Sequence, residues 1–444
     1  MQTMPLERET ITIATEDTLA NTMLTTPIPS TMQSKRITRA LLFLSGCMAL
    51  LMAGFGIIIP IYPQRLQALG LGAGTLALME GAFGLGMFLF STPMGTLAGR
   101  IGRKPIIFLS LGGFVLTNLV LALVNVPFLF ILVRFVEGVL VSGLLPASMA
   151  MVGDSVPVNK QGRWIGMLTT AQGAGIALGP GIGGFLYQAW GFMTPFFLTS
   201  GIALIATLLA FFMLPETLSK EAQLRARISS RREKGVARHR SNGELSILSI
   251  LLLFAPLIII DLGLTFTYPF VLPQYPFFFE QVLHYNAAQY GVIISMYGLA
   301  LAVFPLFLGR LSDTLPKKPL VIIGGLLFPT LNVAMLFLHQ YSLLIAASLV
   351  TGMGDALLLP ALGAIYLNAT NEQNRSQVMG VRGSAISLGM LLGPLTQAFV
   401  AQWITPQISF AIGVVIGLGI TLIAMFTLKS SERASETRIV ENER

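Results

Sequence analysis

The sequence predicts an all-α membrane protein: twelve transmembrane helices in two six-helix, pseudo-symmetric halves. Three observations predict it. Of the 444 residues, 54% are hydrophobic and 11% charged, whereas a soluble globular domain carries about 25% charged residues. So little charge cannot cover a water-facing surface of this size, and a soluble enzyme fold is excluded; the mean hydropathy of +0.76 agrees. Second, the chain holds twelve mainly apolar runs of about 20 residues, the length that crosses a hydrocarbon core. Third, one constant shift, the one that carries Gly95 onto Gly309, aligns parts of the first six runs with the last six.

The elements follow in order. Residues 1–39 read as a disordered cytoplasmic tail: they are polar and Thr-rich, with Glu7, Glu9, Glu16 and Asp17, and no apolar core of signal-peptide length precedes residue 40. The first half, 40–214, holds runs at 40–62, 74–98, 105–125, 127–152, 164–187 and 193–214. Pro60 and Pro63 bend and stop the first of them. Residues 215–246 are charged, with a basic stretch from Arg225 to Arg240, and read as a cytoplasmic linker. The second half, 247–428, holds runs at 247–272, 286–310, 319–338, 341–366, 378–402 and 407–428, and 429–444 form a cytoplasmic C-terminal tail.

Lys and Arg orient the spans. With the N-terminus inside, only Arg65 of the 28 Lys and Arg lies in an outer loop, and Arg134 and Arg382 lie within spans. Both termini are therefore expected inside, in a cell inner membrane. The repeat supports two parallel halves. Gly95, Leu97, Lys104 and Pro105 meet Gly309, Leu311, Lys318 and Pro319; Gly138 and Pro146 meet Gly352 and Pro360; Gly175, Gly179 and Pro180 meet Gly389, Gly393 and Pro394. Such halves suit a transporter that rocks around a central site.

Other chemistries are unsupported. The net charge of +8 sits in short segments between apolar runs, which reads as topology charge rather than a nucleic-acid surface. Cys47 is the single cysteine, and His239, His284 and His339 fall in different loops, so neither a disulfide within the chain nor a metal site is expected. No Gly-x4-Gly-Lys-Ser/Thr occurs, so ATP is not the direct energy source and no cofactor is expected.

Three motifs carry the functional reading. Gly95-Thr-Leu-Ala-Gly-Arg-Ile-Gly-Arg-Lys-Pro105 lies between spans 2 and 3, and Gly309-Arg-Leu-Ser-Asp-Thr-Leu-Pro-Lys-Lys-Pro319 echoes it. Arg134-Phe-Val-Glu137-Gly138 places an arginine about 10 Å deep in span 4, with Glu137 one turn on along the same face. An arginine at that depth is costly and faces a partner or a cavity. Gly166, Gly175, Gly179, Pro180, Gly183 and Gly184 stud span 5, where small residues allow close helix approach.

Together these resemble the major facilitator superfamily over residues 40–428, and within it the twelve-span drug:proton antiporters. The first motif resembles the family's signature loop, Gly-x-Leu-Ala-Asp-Arg-x-Gly-Arg-Lys, through Gly95, Arg100, Gly102, Arg103 and Lys104. In that family the loop latches the cytoplasmic ends of the halves. The family's acid is Gly99 here, while the second copy (Gly309, Asp313, Lys317, Lys318) keeps it as Asp313; the first-half latch then lacks its acid or uses another, such as Asp154. Arg134 resembles the span-4 arginine tied to proton coupling, and its counterpart in the second half is Ser348. The span-5 glycines and proline resemble the antiporter motif that marks exporters.

Intramembrane carboxylates are the proton-carrier candidates. Asp261 lies near the middle of span 7, Asp355 near the middle of span 10, and Glu80 in span 2 is a weaker candidate nearer the outer face. In the resembling family spans 1, 4, 7 and 10 line the cavity, so both aspartates would face Arg134 and Glu137 across it. A buried carboxyl that takes up a proton and releases it to water or to a cation is the physical core of antiport. Arg382, close to the inner edge of span 11, is expected to snorkel. The resemblance implies a proton-coupled exporter of drugs or metabolites, monomeric in the lipid bilayer, with no catalytic residues and no nucleic-acid partner. Two alternatives stand beside it: a proton-independent facilitator or importer, and a lipid-translocating or signalling protein on the same fold.

Overall fold

In a computed structural model of the chain, the described residues are 31–218, 247–370 and 375–428. Most of the 215–246 linker, both tails outside 31–39, and the basic stretch Arg225–Arg240 with His239 lie outside them.

The described residues are helical wherever a span was expected. Among them, eleven helices are long and apolar enough to cross a membrane. The remaining expected span is the helix Val158–Trp190, as long as any of them, but its glycines, Gln172 and Pro180 dilute its apolar character. It has less need of that character, because one face packs on span 1 and another on span 8 rather than on lipid. The first helix begins at Thr31 rather than at residue 40, so its polar first turns extend beyond the apolar run.

Prolines place the breaks within spans. Span 4 runs as Pro127–Val141 and Leu144–Ser155, interrupted just before Pro146. Span 9 runs as Lys317–Leu327 and Thr330–Phe337, interrupted at Pro329. Span 7 is a chain of pieces, Ile247–Leu253, Ala255–Val271, a 3-10 turn Leu272–Gln274 and Tyr275–Gln281, with prolines at the start of each piece after the first. Proline removes a backbone donor and clashes with the preceding turn, which accounts for each break.

The two halves repeat one another at the level of backbone contacts. A Cβ on Gly138 in span 4 would strike the carbonyl oxygen of Phe83 in span 2; one on Gly352 in span 10 would strike that of Tyr297 in span 8. The shift that aligns Gly95 with Gly309 carries both members of the first contact onto the second.

Each half has a hydrophobic core at either end. At the end that carries the 95–105 loop, hereafter the basic end, the cores are separate. One is built around Leu44, Ile107, Phe114 and Met151, the other around Phe254, Leu320, Leu358 and Tyr366. At the opposite end they share residues. Phe277 of the second half enters the first half's core, and Ile59 of the first half packs on the second's.

Span 5 touches span 8 from Gly173–Ala302 to Gly184–Ala287, and span 2 touches span 11 from Gly84–Met390 to Gly74–Ala401. Nearer the basic end, Gly166, Gly380 and Gly383 meet nothing within 4 Å among the described residues. An apolar cavity of about 590 Å³ opens there between Phe88, Ile250, Leu262 and Ser384. Among the described residues, the contacts between the halves gather toward one end, and the apolar cavity opens toward the other.

Candidate functional site

Arg134 is the organising residue. It is 1% exposed, the largest fully buried side chain in the described residues. Its Nη1 donates to Glu137 Oε2 at 3.0 Å and its Nη2 to Glu80 Oε1 at 2.9 Å. The guanidinium also lies over the rings of Phe83 and Phe55, 4.5 and 5.3 Å from their centroids. Burying an arginine is tolerable when carboxylates and ring faces replace its water. Arg134 Nε and Glu137 Oε1 find no hydrogen-bond partner among the described residues. Glu80 is therefore part of the arginine's own cluster.

Glu80, Phe55 and Phe83 line a cavity of about 170 Å³, whose far wall is Tyr268 and Pro269 of span 7 with Ser387, Met390 and Pro394 of span 11. Behind that wall, Tyr268 stacks on Tyr297, centroids 5.4 Å apart and planes 13° apart. The Tyr297 hydroxyl donates to Asp355 Oδ2 at 2.7 Å. Asp355 is 6% exposed, and no cation contacts it among the described residues.

Asp261 does not face Arg134, and this corrects the expectation. It forms a bidentate pair with Arg382, Nε to Oδ2 at 3.0 Å and Nη2 to Oδ1 at 3.3 Å, and Arg382 lies over the Tyr366 ring. Asp261 is 1% exposed and the Arg382 side chain 13%. Arg382 is thus not a snorkelling residue. A buried carboxylate one helix away is a stronger claim on it than the membrane edge.

The span-5 motif divides by face. Gly175, Gly179 and Gly183 repeat at every fourth residue, so they share one stripe, and a Cβ on any of them would meet the backbone of Ala49, Ala53 or Ile57 in span 1. Gly181 and Gly184 face span 8, where Gly291 abuts the Pro180 carbonyl, while the Pro180 ring lies against Gly56 of span 1. Pro180 loosens the helix around it, and the Gly181 N–H donates across the halves to Ser295 Oγ at 2.9 Å. Gly166, which the motif includes, is exposed and takes no part in the crossing.

The signature loop ties its own half together. Gly102 has φ +119°, a conformation glycine takes without strain, and the Glu216 carboxylate lies where a Cβ would stand. Glu216 accepts from the Arg103 and Lys104 amides at 2.9 and 3.2 Å and so caps span 3. Arg103 pairs with Asp154 at 3.1 Å and donates to Ala98 O at 2.7 Å; Lys104 donates to Phe211 O at 2.5 Å. A Cβ on Gly99 would sit 3.7 Å from Arg103 Nη1, so an acid at Gly99 could reach the same arginine that Asp154 holds. Gly95 lies in loose contact with Pro146, and Arg100 is exposed. Among the described residues, the partners of Arg103 and Lys104 belong to the first half or, as Glu216, to the start of the linker that follows it. In the second copy Lys317 donates to Leu315 O at 3.3 Å and Lys318 is half-buried; Gly309 lies in the helix, and the side chain of Asp313 lies outside what is described.

Sequence reasoning did not single out Phe55, Phe83, Tyr268 or Tyr297. A signal existed: Phe83 and Tyr297 align at the shift that pairs Gly95 with Gly309, and Phe55 and Tyr268 align at a shift shorter by one. The one-residue difference hid the second pair from a search at constant offset.

A family model described as Major Facilitator Superfamily matches residues 44–285 and 257–443. The chain is 28% identical to the multidrug resistance protein MdtG of Klebsiella pneumoniae (strain 342) over 357 residues, 79% of this chain and 84% of that one. It is 28% identical to multidrug resistance protein 2 of Bacillus subtilis (strain 168) over 380 residues, 83% and 91%. Among solved structures it resembles the human organic anion transporter MFSD10 (TETRAN), with a TM-score of 0.64, 19% identity and coverage of 87% and 99%. It also resembles a D-xylose–proton symporter, with a TM-score of 0.65, 17% identity and coverage of 88% and 98%.

Proposed function

The chain belongs to the major facilitator superfamily, and from that membership we propose a proton-coupled exporter of small molecules that works by alternating access. It is a transport protein in a multi-pass membrane setting, not an enzyme. The observation that carries the coupling is the Arg134 cluster: one buried guanidinium between two carboxylates, Glu80 and Glu137, with Glu80 on the cavity wall. Two carboxylates against one cation balance only when one of them holds a proton. In a water-poor site an unbalanced charge is costly. The cluster therefore trades one proton with the cavity as water gains access, and Glu80 is the group through which it does so.

Export is supported by the multidrug resistance relatives and by the span-5 stripe. The halves that close would be 40–214 and 247–428, joined through 215–246, in a monomer. The splayed basic end would be the cytoplasmic one, with both termini on that side in a bacterial inner membrane, and the state would be inward-facing. Span 5 seals against spans 1 and 8 on the closed side, which would keep protons from leaking past the substrate path. The solved relatives of similar fold carry an organic anion and a sugar by their names, so the fold alone does not choose the substrate.

Proton flux in inside-out vesicles, followed with a pH-sensitive dye, tests this reading. Adding a transported compound should dissipate the gradient, and Glu80→Gln should abolish that response while labelled compound still equilibrates. Uptake of labelled compound with no effect on the gradient in the unmodified protein would overturn coupling and leave a facilitator.

A further inference from the structure

The Arg134 cluster has two sides. On one, Glu80 stands on the wall of the cavity of about 170 Å³. On the other lies Tyr62, in the short helix Tyr62–Ala68 that continues span 1 after a break at 59–61. Tyr62 is 1% exposed and lies in the core that Phe277 of the second half enters, together with Met79, the residue before Glu80. Its ring meets those of Phe130 and Phe196, centroids 6.1 and 5.5 Å away. Phe130 stands one turn before Arg134 in span 4, so Tyr62 lies on the outer side of the cluster, away from the cavity. Its hydroxyl feels the charges of Arg134, Glu137 and Glu80. Three buried polar atoms here have no partner among the described residues: Tyr62 Oη, Arg134 Nε and Glu137 Oε1.

We propose that Tyr62 is a positioning residue for proton uptake: its hydroxyl, with Arg134 Nε and Glu137 Oε1, holds a buried water through which the cluster takes up protons from the end where the halves meet. This rests on the proton-coupled reading above and gives its cluster a second point of access. A buried water makes about three hydrogen bonds to polar groups that the protein leaves unsatisfied. The three atoms suit one water: Arg134 Nε–H donates to it, Glu137 Oε1 accepts from it, and the Tyr62 hydroxyl can do either. An excess proton reaching that water passes to Glu137 Oε1, which becomes a carboxyl, and the water is left neutral. Tyr62 keeps its own proton and only orients the water. Release from Glu80 and uptake at Glu137 change the same total, so the cluster can load from one end and unload at the other. The unpartnered atoms continue outward along the short helix as Gln64 Oε1 and Arg65 Nε. The other ionisable groups around this route are few. Span 3 has none from Ile106 to Leu123, and span 6 none from Met193 to Met213. Tyr187 of span 5 packs on the same core; Arg65 donates to Asn125; Glu280, one turn past Phe277, accepts from Gln67.

Tyr62→Phe tests the proposal, because it removes the hydroxyl and keeps the ring packing. In inside-out vesicles the compound-driven dissipation of the proton gradient should slow by on the order of tenfold. Exchange of labelled compound for unlabelled compound with no gradient, which needs no net proton uptake, should keep its rate. The infrared difference spectrum of the purified full chain in lipid nanodiscs, between acid and neutral buffer, supplies a second readout. A bound-water band that shifts in ¹⁸O-labelled water should be present in the unmodified protein and absent in Tyr62→Phe. Unchanged dissipation in Tyr62→Phe overturns the proposal, and so does equal slowing of dissipation and exchange, which would make Tyr62 a packing residue. The two readings fail separately. A Tyr62-dependent water band with no dissipation in the unmodified protein removes antiport and keeps the water site. Dissipation that Tyr62→Phe leaves intact, with no such band, keeps antiport and removes the water site.

Discussion

The crossing of spans 2 and 4 in the first half is electrostatically crowded, and the equivalent crossing of spans 8 and 10 in the second is sparse. Spans 2 and 4 bring together Glu80, Arg134 and Glu137; the equivalent spans 8 and 10 bring together a tyrosine hydroxyl and one aspartate. The backbone contact beneath them is the same, Gly138 on Phe83 and Gly352 on Tyr297. The scaffold is therefore duplicated and the chemistry is not. The lesson is that small residues at the crossings hold the geometry, while the side chains one turn away are free to diverge.

Four tests break or sharpen that contrast. The largest effect is expected from Arg134→Leu. It strands two buried carboxylates, and thermal melting of the purified protein should report a loss of about 3–5 kcal/mol together with loss of transport. The second sets two aspartates against each other. Asp261→Asn leaves Arg382 without its partner and should cost about 3 kcal/mol. Asp355→Asn keeps an acceptor for Tyr297 and should cost under about 1 kcal/mol. Equal costs in the same melting assay would show that Asp355 is also a structural ion-pair member.

The third concerns the crossings. Gly179→Ala and Gly393→Ala each push a methyl against a carbonyl, of Ala53 and of Phe266, and each should cost about 1–3 kcal/mol. Gly166→Ala, in open space, should be neutral or gain up to about 1 kcal/mol. The smallest is Ser295→Ala. It removes the acceptor of Gly181 N–H and should loosen the contact between halves by about 1 kcal/mol. That loosening would be read as a shift in labelling of a cysteine placed at Gln67, which bonds to Glu280 across the closed end.

Much of the fold was legible because membrane spans announce themselves by length and polarity. The repeat was legible because glycine and proline are confined by backbone geometry: Gly138 and Gly352 cannot change without moving a neighbouring carbonyl. The buried Arg134 and its neighbour Glu137 were legible as intramembrane charges in helical register. Tertiary partners were not. Glu80 sits 54 residues from Arg134, and Arg382 sits 121 residues from Asp261. Nothing in the local sequence says which helices will be neighbours. The splay of the halves was not legible either, since one sequence serves every state of a rocking transporter.

The offset between the halves is shorter by one at the crossing of spans 1 and 7 with their partners, Ala53 against Phe266, than beyond it, Phe83 against Tyr297. Had the extra residue entered a helix, it would have turned every later side chain by about 100°. Both crossings survive, so it entered the connection between them, in the stretch that here holds the 3-10 turn Leu272–Gln274 and the left-handed His284. That connection is where the two halves differ in length without losing their likeness. It is also where an engineer could insert a residue into either half and expect the bundle to keep its register.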